Sequence, residues 1–186
     1  MLTVLTVLTV TPVALAPRRQ PWLGGRFDGS AMMSFYDESY MLRALELGRA
    51  VAGNTGDNPP VGCVIVREGT QIGQGATQPP GGFHAEAMAV REAEAAGQAV
   101  AGSDVYVTLE PCAFTGRTPP CSRLLVEKRP RRVIVGIRDP HPQVRGAGIA
   151  EMREAGIEVV EGVMADDLRR VLAGWLARFE PSRHTG

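Results

Sequence analysis

The chain has 186 residues, a length that fits one domain with its own hydrophobic core. Lysine and arginine together number 20, as do aspartate and glutamate, so the formal net charge is zero. This balance argues against a nucleic-acid backbone or an anionic membrane surface as the partner. Three cysteines make a poor disulfide framework. We therefore expect a reducing compartment, the cytoplasm, where thiols serve metals or chemistry.

The first 33 residues differ from the rest of the chain. Threonine interrupts their apolar stretch at every third position, and the basic pair Arg18 and Arg19 follows that stretch instead of preceding it. A secretory signal has the reverse order, and a membrane span needs about 20 apolar residues. We predict that residues 1–33 are a disordered or loosely packed extension, or lie upstream of a natural start near Met32 or Met33. The domain then covers residues 34–181, with a tail at 182–186.

Hydrophobic periodicity and turn residues predict strands that alternate with helices after an opening hairpin. Such an order predicts a three-layer α/β/α domain with a mixed sheet flanked by helices. The predicted elements are a helix at 34–52, strands at 61–67 and 70–75, a helix at 85–96, a strand at 104–109, a helix from 119 or 120 to 128, a strand at 132–137, a helix at 148–155, a strand at 157–161 and a terminal helix at 164–179.

Three short fragments carry residues that suit a metal. His84 opens a helix after a loop rich in glycine and proline, Cys112 comes just after a strand, and Cys121 begins the next helix. Zinc takes imidazole and thiolate ligands in a tetrahedron, and a catalytic zinc keeps one position open for water. We expect these three residues to bind Zn²⁺, with backbone N–H groups at two helix N-termini stabilising the thiolates of Cys112 and Cys121.

Glu86 lies two residues after His84, within reach of a water molecule on the metal. Zinc lowers the pKa of such a water, and a nearby carboxylate can take its proton and deliver it elsewhere. This is the chemistry needed to replace an amino group with oxygen, and histidine-x-glutamate and Pro-Cys elements are known from nucleobase deaminases. We interpret Cys63, inside an apolar strand, as a core residue, and we expect His141 and His184 to be solvated.

The fragments and their order resemble the zinc-dependent cytidine deaminase superfamily and, more narrowly, the pyrimidine deaminase domain of riboflavin biosynthesis. The resemblance runs from about Tyr40 to Phe179. Its most specific part is Thr-Leu-Glu-Pro-Cys at 108–112, followed by Gly-Arg-Thr-Pro-Pro-Cys at 116–121. The eight residues between the two cysteines are typical of the riboflavin deaminases, whereas most members of the superfamily have two.

The resemblance implies roles for particular residues. His84, Cys112 and Cys121 would bind zinc and Glu86 would move protons, while Asn58 and Arg117 would hold the substrate's ring, sugar or phosphate. The implied reaction is hydrolytic deamination of 2,5-diamino-6-ribosylamino-4(3H)-pyrimidinone 5′-phosphate. Self-association is also implied. Many relatives continue into a fused reductase. This sequence ends about where that domain would begin, so we expect a separate reductase to act with this chain.

Two departures from the family pattern concern the substrate. Phe114 and Thr77 stand at positions that are often histidine in relatives, and we expect both to line the substrate pocket. One alternative is therefore a related deaminase acting on another small aminated heterocycle. A second is a non-catalytic interaction module stabilised by zinc, against which Glu86 argues, because a closed structural site needs no acid/base residue.

Overall fold

The computed structural model describes residues 29–115 and 119–179. Residues 1–28 of the predicted extension, the predicted tail at 182–186 and Arg117 lie outside the described residues. The elements are α1 (Gly29–Ala50), β1 (Gly62–Arg67), β2 (Thr70–Ala76), α2 (Ala85–Ala95), β3 (Asp104–Leu109), α3 (Cys121–Lys128), β4 (Arg132–Ile137), α4 (Ala147–Glu154), β5 (Glu158–Glu161), α5 (Ala165–Val171) and α6 (Ala173–Leu176).

The sheet has five strands in the order β2-β1-β3-β4-β5. Strand β1 runs antiparallel to both of its neighbours, whereas β3, β4 and β5 are parallel to one another. The buried strands β3 and β4 are rich in branched apolar residues, as expected where helices cover both faces of a sheet. Helices α1 and α5 lie on one face and α2, α3 and α4 on the other. The predicted three-layer mixed-sheet fold is confirmed.

Two helix boundaries differ from the prediction. Helix α1 begins at Gly29, before the predicted start at Ser34, and the predicted single terminal helix is divided into α5 and α6 at Leu172. The backbone of Leu172 leaves the helical region with ψ at 7°, while its side chain, like that of Leu168, stays buried. Packing of both leucines in the core therefore decides the direction of the last segment. Within the part of the chain that the structure describes, no helix has the length and apolar character needed to cross a membrane.

The strand directions bring four loops to one edge of the sheet. The loops after β3 and β4 leave from the carboxyl ends of parallel strands, which register Leu109 beside Ile137. The amino end of the antiparallel β1 and the carboxyl end of β2 lie at that same edge, since Gly62 pairs with Ala76. The loop before β1, the loop before α2 and the loops after β3 and β4 therefore meet there, and together they carry the predicted site residues.

A buried ion network ties the opposite edge together. Arg132, at the start of β4, contacts Asp37 of α1 at 3.0 Å and Asp104 at the start of β3 at 2.9 Å. The hydroxyl of Tyr106 donates a hydrogen bond to Asp37, and Arg131 contacts Asp104 from the surface. The side chain of Arg132 is 6% exposed, whereas that of Arg131 is 57% exposed. A buried pair is costly to break because the remaining charge stays desolvated.

This network provides a matched test of burial. We expect Arg132→Met to lower the free energy of unfolding by about 3–5 kcal/mol, because Asp37 and Asp104 lose the buried cation that they share. Arg131→Met, which removes the neighbouring and exposed partner of Asp104, should cost about 1 kcal/mol or less. Chemical denaturation of the two variants measures the difference. Equal losses would contradict the assigned role of burial.

Candidate active site

His84 is placed by the close packing of α2 on β2. It occupies the residue before α2 with extended backbone, so its side chain lies where the helix begins. The helix contacts β2 through small residues, and a Cβ added at Gly75 would lie 2.4 Å from the carbonyl oxygen of Ala85. A side chain at Gly75 would therefore push the start of α2 away from the sheet. The glycines of β2 allow the approach that places His84 and Glu86 at the loop edge.

Cys112 and Cys121 come together through a hydrogen bond at the start of α3. Cys112 lies in the loop after β3, and Cys121 is the first residue of α3. The prediction that each cysteine begins a helix is therefore wrong for Cys112. The backbone N–H of Cys121 donates to the Cys112 sulfur at 3.3 Å, so the helix start supports this sulfur from across the loop. Ser122 also donates its backbone N–H to the Cys112 carbonyl at 3.1 Å.

The three predicted metal ligands form a compact cluster. One ligand atom from each of His84, Cys112 and Cys121 lies within 4.8 Å of the others. Nδ1 of His84 is 3.6 Å from the Cys112 sulfur and 3.5 Å from the Cys121 sulfur. A tetrahedral zinc with its usual bond lengths to sulfur and nitrogen requires a nitrogen-to-sulfur separation of about 3.5 Å. The donor atoms and their spacing therefore fit a zinc ion.

The two cysteine thiols of the cluster differ in pKa. Hydrogen bonding from Cys121, and then from His84, lowers the pKa of the Cys112 thiol. The pKa of Cys121 is raised, because its thiol donates to Cys112 and because it is buried. The pKa of His84 is also raised, chiefly by its hydrogen bond with Cys112. Cys112 is therefore the sulfur that carries negative charge most readily, the form in which a cysteine binds a metal.

Glu86 lies beside this cluster in the first turn of α2. Its residue is only 4% exposed. Burial, and then the negative charge of Cys112, raise the pKa of Glu86 to about 7, against the opposing effects of His84 and of a hydrogen bond with Cys121. A carboxyl group with a pKa near neutrality can both accept and release a proton at physiological pH. A cation on the neighbouring ligands would favour its ionised form.

Glu110 fastens two of the loops to each other. Its buried carboxylate accepts four backbone N–H hydrogen bonds, from Asp139 and Gly146 on one oxygen and from Gly148 and Ile149 on the other. Burial raises the pKa of this carboxyl, and the N–H groups partly oppose that effect. The residue stands between β3 and Cys112, so it fixes the loop after β4 against the loop that carries a metal ligand. The sequence motif at 108–112 includes Glu110 but predicts no role for it.

His141 belongs to an aromatic cluster and is half-buried, so solvent reaches only part of a residue that was expected to be solvated. Its ring is stacked with those of Phe114 and Trp175, at distances of 5.3 Å and 6.2 Å between ring centroids. It also contacts the ring of Phe179 edge-on. The indole N–H of Trp175 donates to Asp139 at 3.0 Å, which fixes the orientation of that ring. Phe114 from the loop after β3 and Trp175 of α6 therefore pack against the half-buried ring of His141. His184 lies outside the described residues.

The three other described residues that the sequence analysis singled out differ in burial and in hydrogen bonding. Asn58 is half-buried in the loop before β1, where its backbone carbonyl accepts a hydrogen bond from Thr55. Thr77 is buried and its hydroxyl accepts the N–H of Val61 at 3.1 Å, so it links two loops within the protein. Cys63 is completely buried, as predicted for a core residue.

The fold and the cluster are those of a zinc-dependent deaminase domain. The model of the cytidine and deoxycytidylate deaminase zinc-binding region matches residues 35–137, which is more than half of the chain. The chain belongs to this family. The predicted family is thus confirmed, and so is the zinc cofactor, because the matched region is the zinc-binding region and the three ligand side chains lie together.

Within this family, the chain is similar to proteins named RibD. The riboflavin biosynthesis protein RibD of Escherichia coli is 44% identical over 143 residues, which are 77% of this chain and 38% of that protein. The solved structure of RibD from Acinetobacter baumannii has a TM-score of 0.75 at 39% identity and covers 79% of this chain and 41% of its own.

A Thermotoga maritima structure, described as a diaminohydroxyphosphoribosylaminopyrimidine deaminase/5-amino-6-(5-phosphoribosylamino)uracil reductase, has the same TM-score of 0.75 at 38% identity. The match covers 79% of this chain and 42% of that one. The chain therefore spans about two fifths of the length of the relatives that it matches.

The three cysteines allow a controlled test of the metal site. We expect the purified protein to hold one zinc ion and Cys112→Ser to lose it on dialysis, because a thiolate ligand is removed. The loss in affinity should exceed the ~10–100-fold that follows removal of an outer hydrogen-bond partner. Cys63→Ala, which alters the buried cysteine of β1, should keep its zinc. Elemental analysis of the dialysed proteins checks this, and equal zinc in all of them would contradict the assignment.

The loop attachment by Glu110 makes a second prediction. Glu110→Gln puts an amide N–H₂ group against backbone N–H donors and removes the charge that they bind, so we expect a loss of about 3 kcal/mol in the free energy of unfolding. Amide hydrogens of Gly146 and Gly148 should exchange faster. Glu127→Gln, at an exposed site on α3, is the control and should change neither quantity. Unchanged exchange in Glu110→Gln would show that the loop is held by other contacts.

Proposed function

We propose that the protein converts 2,5-diamino-6-ribosylamino-4(3H)-pyrimidinone 5′-phosphate into 5-amino-6-ribosylamino-2,4-pyrimidinedione 5′-phosphate, releasing ammonia. The observation that carries the proposal is the buried Glu86 beside the cluster of His84, Cys112 and Cys121. The relatives that share this region at 38–44% identity are named for riboflavin biosynthesis or for the corresponding deaminase. Together these findings favour a hydrolytic deaminase over a non-catalytic zinc module.

The metal ligands have one task in this proposal. His84, Cys112 and Cys121 would hold zinc through one nitrogen and two sulfurs, leaving a fourth position free. Zinc bound there would supply a Lewis acid that makes a water molecule a stronger nucleophile at neutral pH. The N–H of Cys121 would keep the Cys112 sulfur anionic and correctly placed.

Glu86 would carry the proton transfers. Its carboxylate accepts a proton from the attacking water as the new C–O bond forms at the ring carbon bearing the 2-amino group. It delivers that proton to a ring nitrogen, then takes the second proton from the new hydroxyl group and passes it to the departing amino group, so that the C=O bond forms, the C–N bond breaks and ammonia leaves. Burial raises the pKa of this carboxyl and so favours its holding a proton between the two transfers, whereas a bound cation would favour its ionised form.

Asn58 and Arg117 would hold the rest of the substrate. Asn58 lies at the loop edge with its half-buried side chain, suited to hydrogen bonding with the ring or sugar. Arg117 lies outside the described residues, and its guanidinium would bind phosphate through paired N–H donors. Phe114 stacks against His141 at the same edge.

We also propose that the protein acts in the cytoplasm and self-associates, with a reductase consuming its product. The three cysteines are free thiols, which supports a reducing compartment. Phe35 and Leu42 on α1 are largely exposed apolar side chains, as found at contact surfaces between subunits. The Thermotoga maritima relative is described as both a deaminase and a reductase, which supports the link to a reduction step.

Replacing Glu86 separates catalysis from metal binding. We expect Glu86→Gln to keep its zinc and to release ammonia from the phosphorylated diaminopyrimidine about 10²–10⁴-fold more slowly, because the amide cannot move protons. Glu92→Gln, farther along α2, is the matched control and should be fully active.

A panel containing this substrate, cytidine, deoxycytidylate and guanine identifies the preferred heterocycle. Preference for another heterocycle would overturn the substrate but leave the deaminase chemistry intact. Normal turnover by Glu86→Gln would overturn the mechanism.

A further inference from the structure

A cleft of about 290 Å³ lies between the loop before β1 and the last two helices. Its walls include Asn58 and Gly56 from the loop, Gly174 and Trp175 from α6, and Arg178 just beyond α6. Small-molecule sites usually measure about 300–1,000 Å³. The cleft lies just below this range, so we expect it to take a fragment the size of a sugar phosphate and not a whole nucleotide.

Aromatic contacts run from this cleft to the loop that carries Cys112. Trp175 forms part of its wall and is stacked with His141, which is stacked in turn with Phe114. Phe114 is two residues from Cys112, in the loop that carries this metal ligand. Asn58, on the other side of the cleft, is one of the two residues that the family resemblance assigns to the substrate. The cleft is thus adjacent to the loops that meet at the candidate active site.

The polar groups in the cleft suit an anion that carries hydroxyl groups. Arg178 is the one charged residue among the described residues that line it. Its guanidinium donates to the carbonyl of Asp57 at 2.9 Å and lies against the Trp175 ring, which leaves further N–H groups for a ligand. The Asp57 carboxylate is 3.9 Å away and fully exposed, so its opposing charge is solvated. Within the described residues the Asn58 amide makes no hydrogen bond.

The preceding turn adds backbone donors. Gly53 and Gly56 both have positive φ, at 85° and 60°, and their N–H groups find no acceptor within the described residues. These two N–H groups are three residues apart, so they would act as separate donors on the loop side of the cleft. The loop side and the helix side of the cleft therefore both offer donors, whereas its one acidic neighbour points to solvent.

We propose that this cleft binds the phosphorylated sugar of the substrate, an inference that rests on the proposed function. Arg178 binds the phosphate, and the Asn58 amide binds the sugar hydroxyls. Trp175 closes the apolar side of the cleft. The aminated ring then extends toward Glu86, so the last helix contributes to substrate specificity.

A binding experiment tests the cleft without any turnover. The chain has two tryptophans, and in a Trp22→Phe background Trp175 is the one that remains. Ribose 5-phosphate should change its fluorescence. Arg178→Gln keeps an N–H donor for Asp57 but removes the charge, and should weaken this binding about tenfold or more. Arg170→Ala, an exposed arginine of α5 paired with Asp167, is the control and should bind normally.

A kinetic experiment separates this inference from the proposed function. We expect Arg178→Gln to lower kcat/KM at least about tenfold for the phosphorylated diaminopyrimidine, mainly through KM, and to leave kcat/KM for the dephosphorylated nucleoside unchanged. Equal losses with both substrates, or unchanged binding of ribose 5-phosphate, would overturn the cleft assignment. Arginine-dependent binding of ribose 5-phosphate without deamination of the pyrimidine would support the cleft and overturn the proposed function.

Discussion

The metal cluster depends on how closely α2 approaches β2. Gly73 and Gly75 leave no side chains between strand and helix, so the backbone carbonyls of α2 lie where a Cβ would otherwise be. This contact fixes the start of α2, and with it His84 and Glu86, to the rigid sheet. A metal site needs its ligands held within a few tenths of an ångström. Close packing of small residues supplies that precision from a strand instead of a flexible loop.

Different buried contacts hold the two edges of the sheet, an ion network at one and a carboxylate with backbone N–H donors at the other. At the starts of β3 and β4, Arg132 joins α1 to the sheet through Asp37 and Asp104, far along the strands from the candidate site. At the opposite edge, Glu110 accepts N–H groups from the loop after β4 and holds it against the cysteine loop. Both devices are buried carboxylate groups with several donors, and both tie together segments that are distant in the chain. Stability at one edge supports the arrangement of reactive groups at the other.

The last helices belong to the candidate site as much as to the core. Leu168 and Leu172 anchor them in the core, and the change of direction at Leu172 places Trp175 next to Asp139 and His141. The guanidinium of Arg178 then donates a hydrogen bond to the carbonyl oxygen of Asp57, in the loop before β1. Residues more than a hundred positions apart thereby form one cleft. Of the two residues expected to line a substrate pocket, Thr77 is buried and bonds within the protein, and Phe114 stacks on His141, so a pocket role for them stays a prediction.

The sequence by itself determined the order of strands and helices, the mixed three-layer fold and the identity of the clustered metal ligands. Those features depend on local periodicity and on short motifs, which are visible in a single chain. The tertiary structure alone decided that Cys112 lies outside a helix, that His141 stacks on aromatic rings and that Glu110 joins two loops. Each of these depends on contacts between segments distant in sequence, whose approach is set by strand pairing and helix packing. The catalytic role of Glu86 and the substrate roles of Asn58 and Arg117 remain predictions.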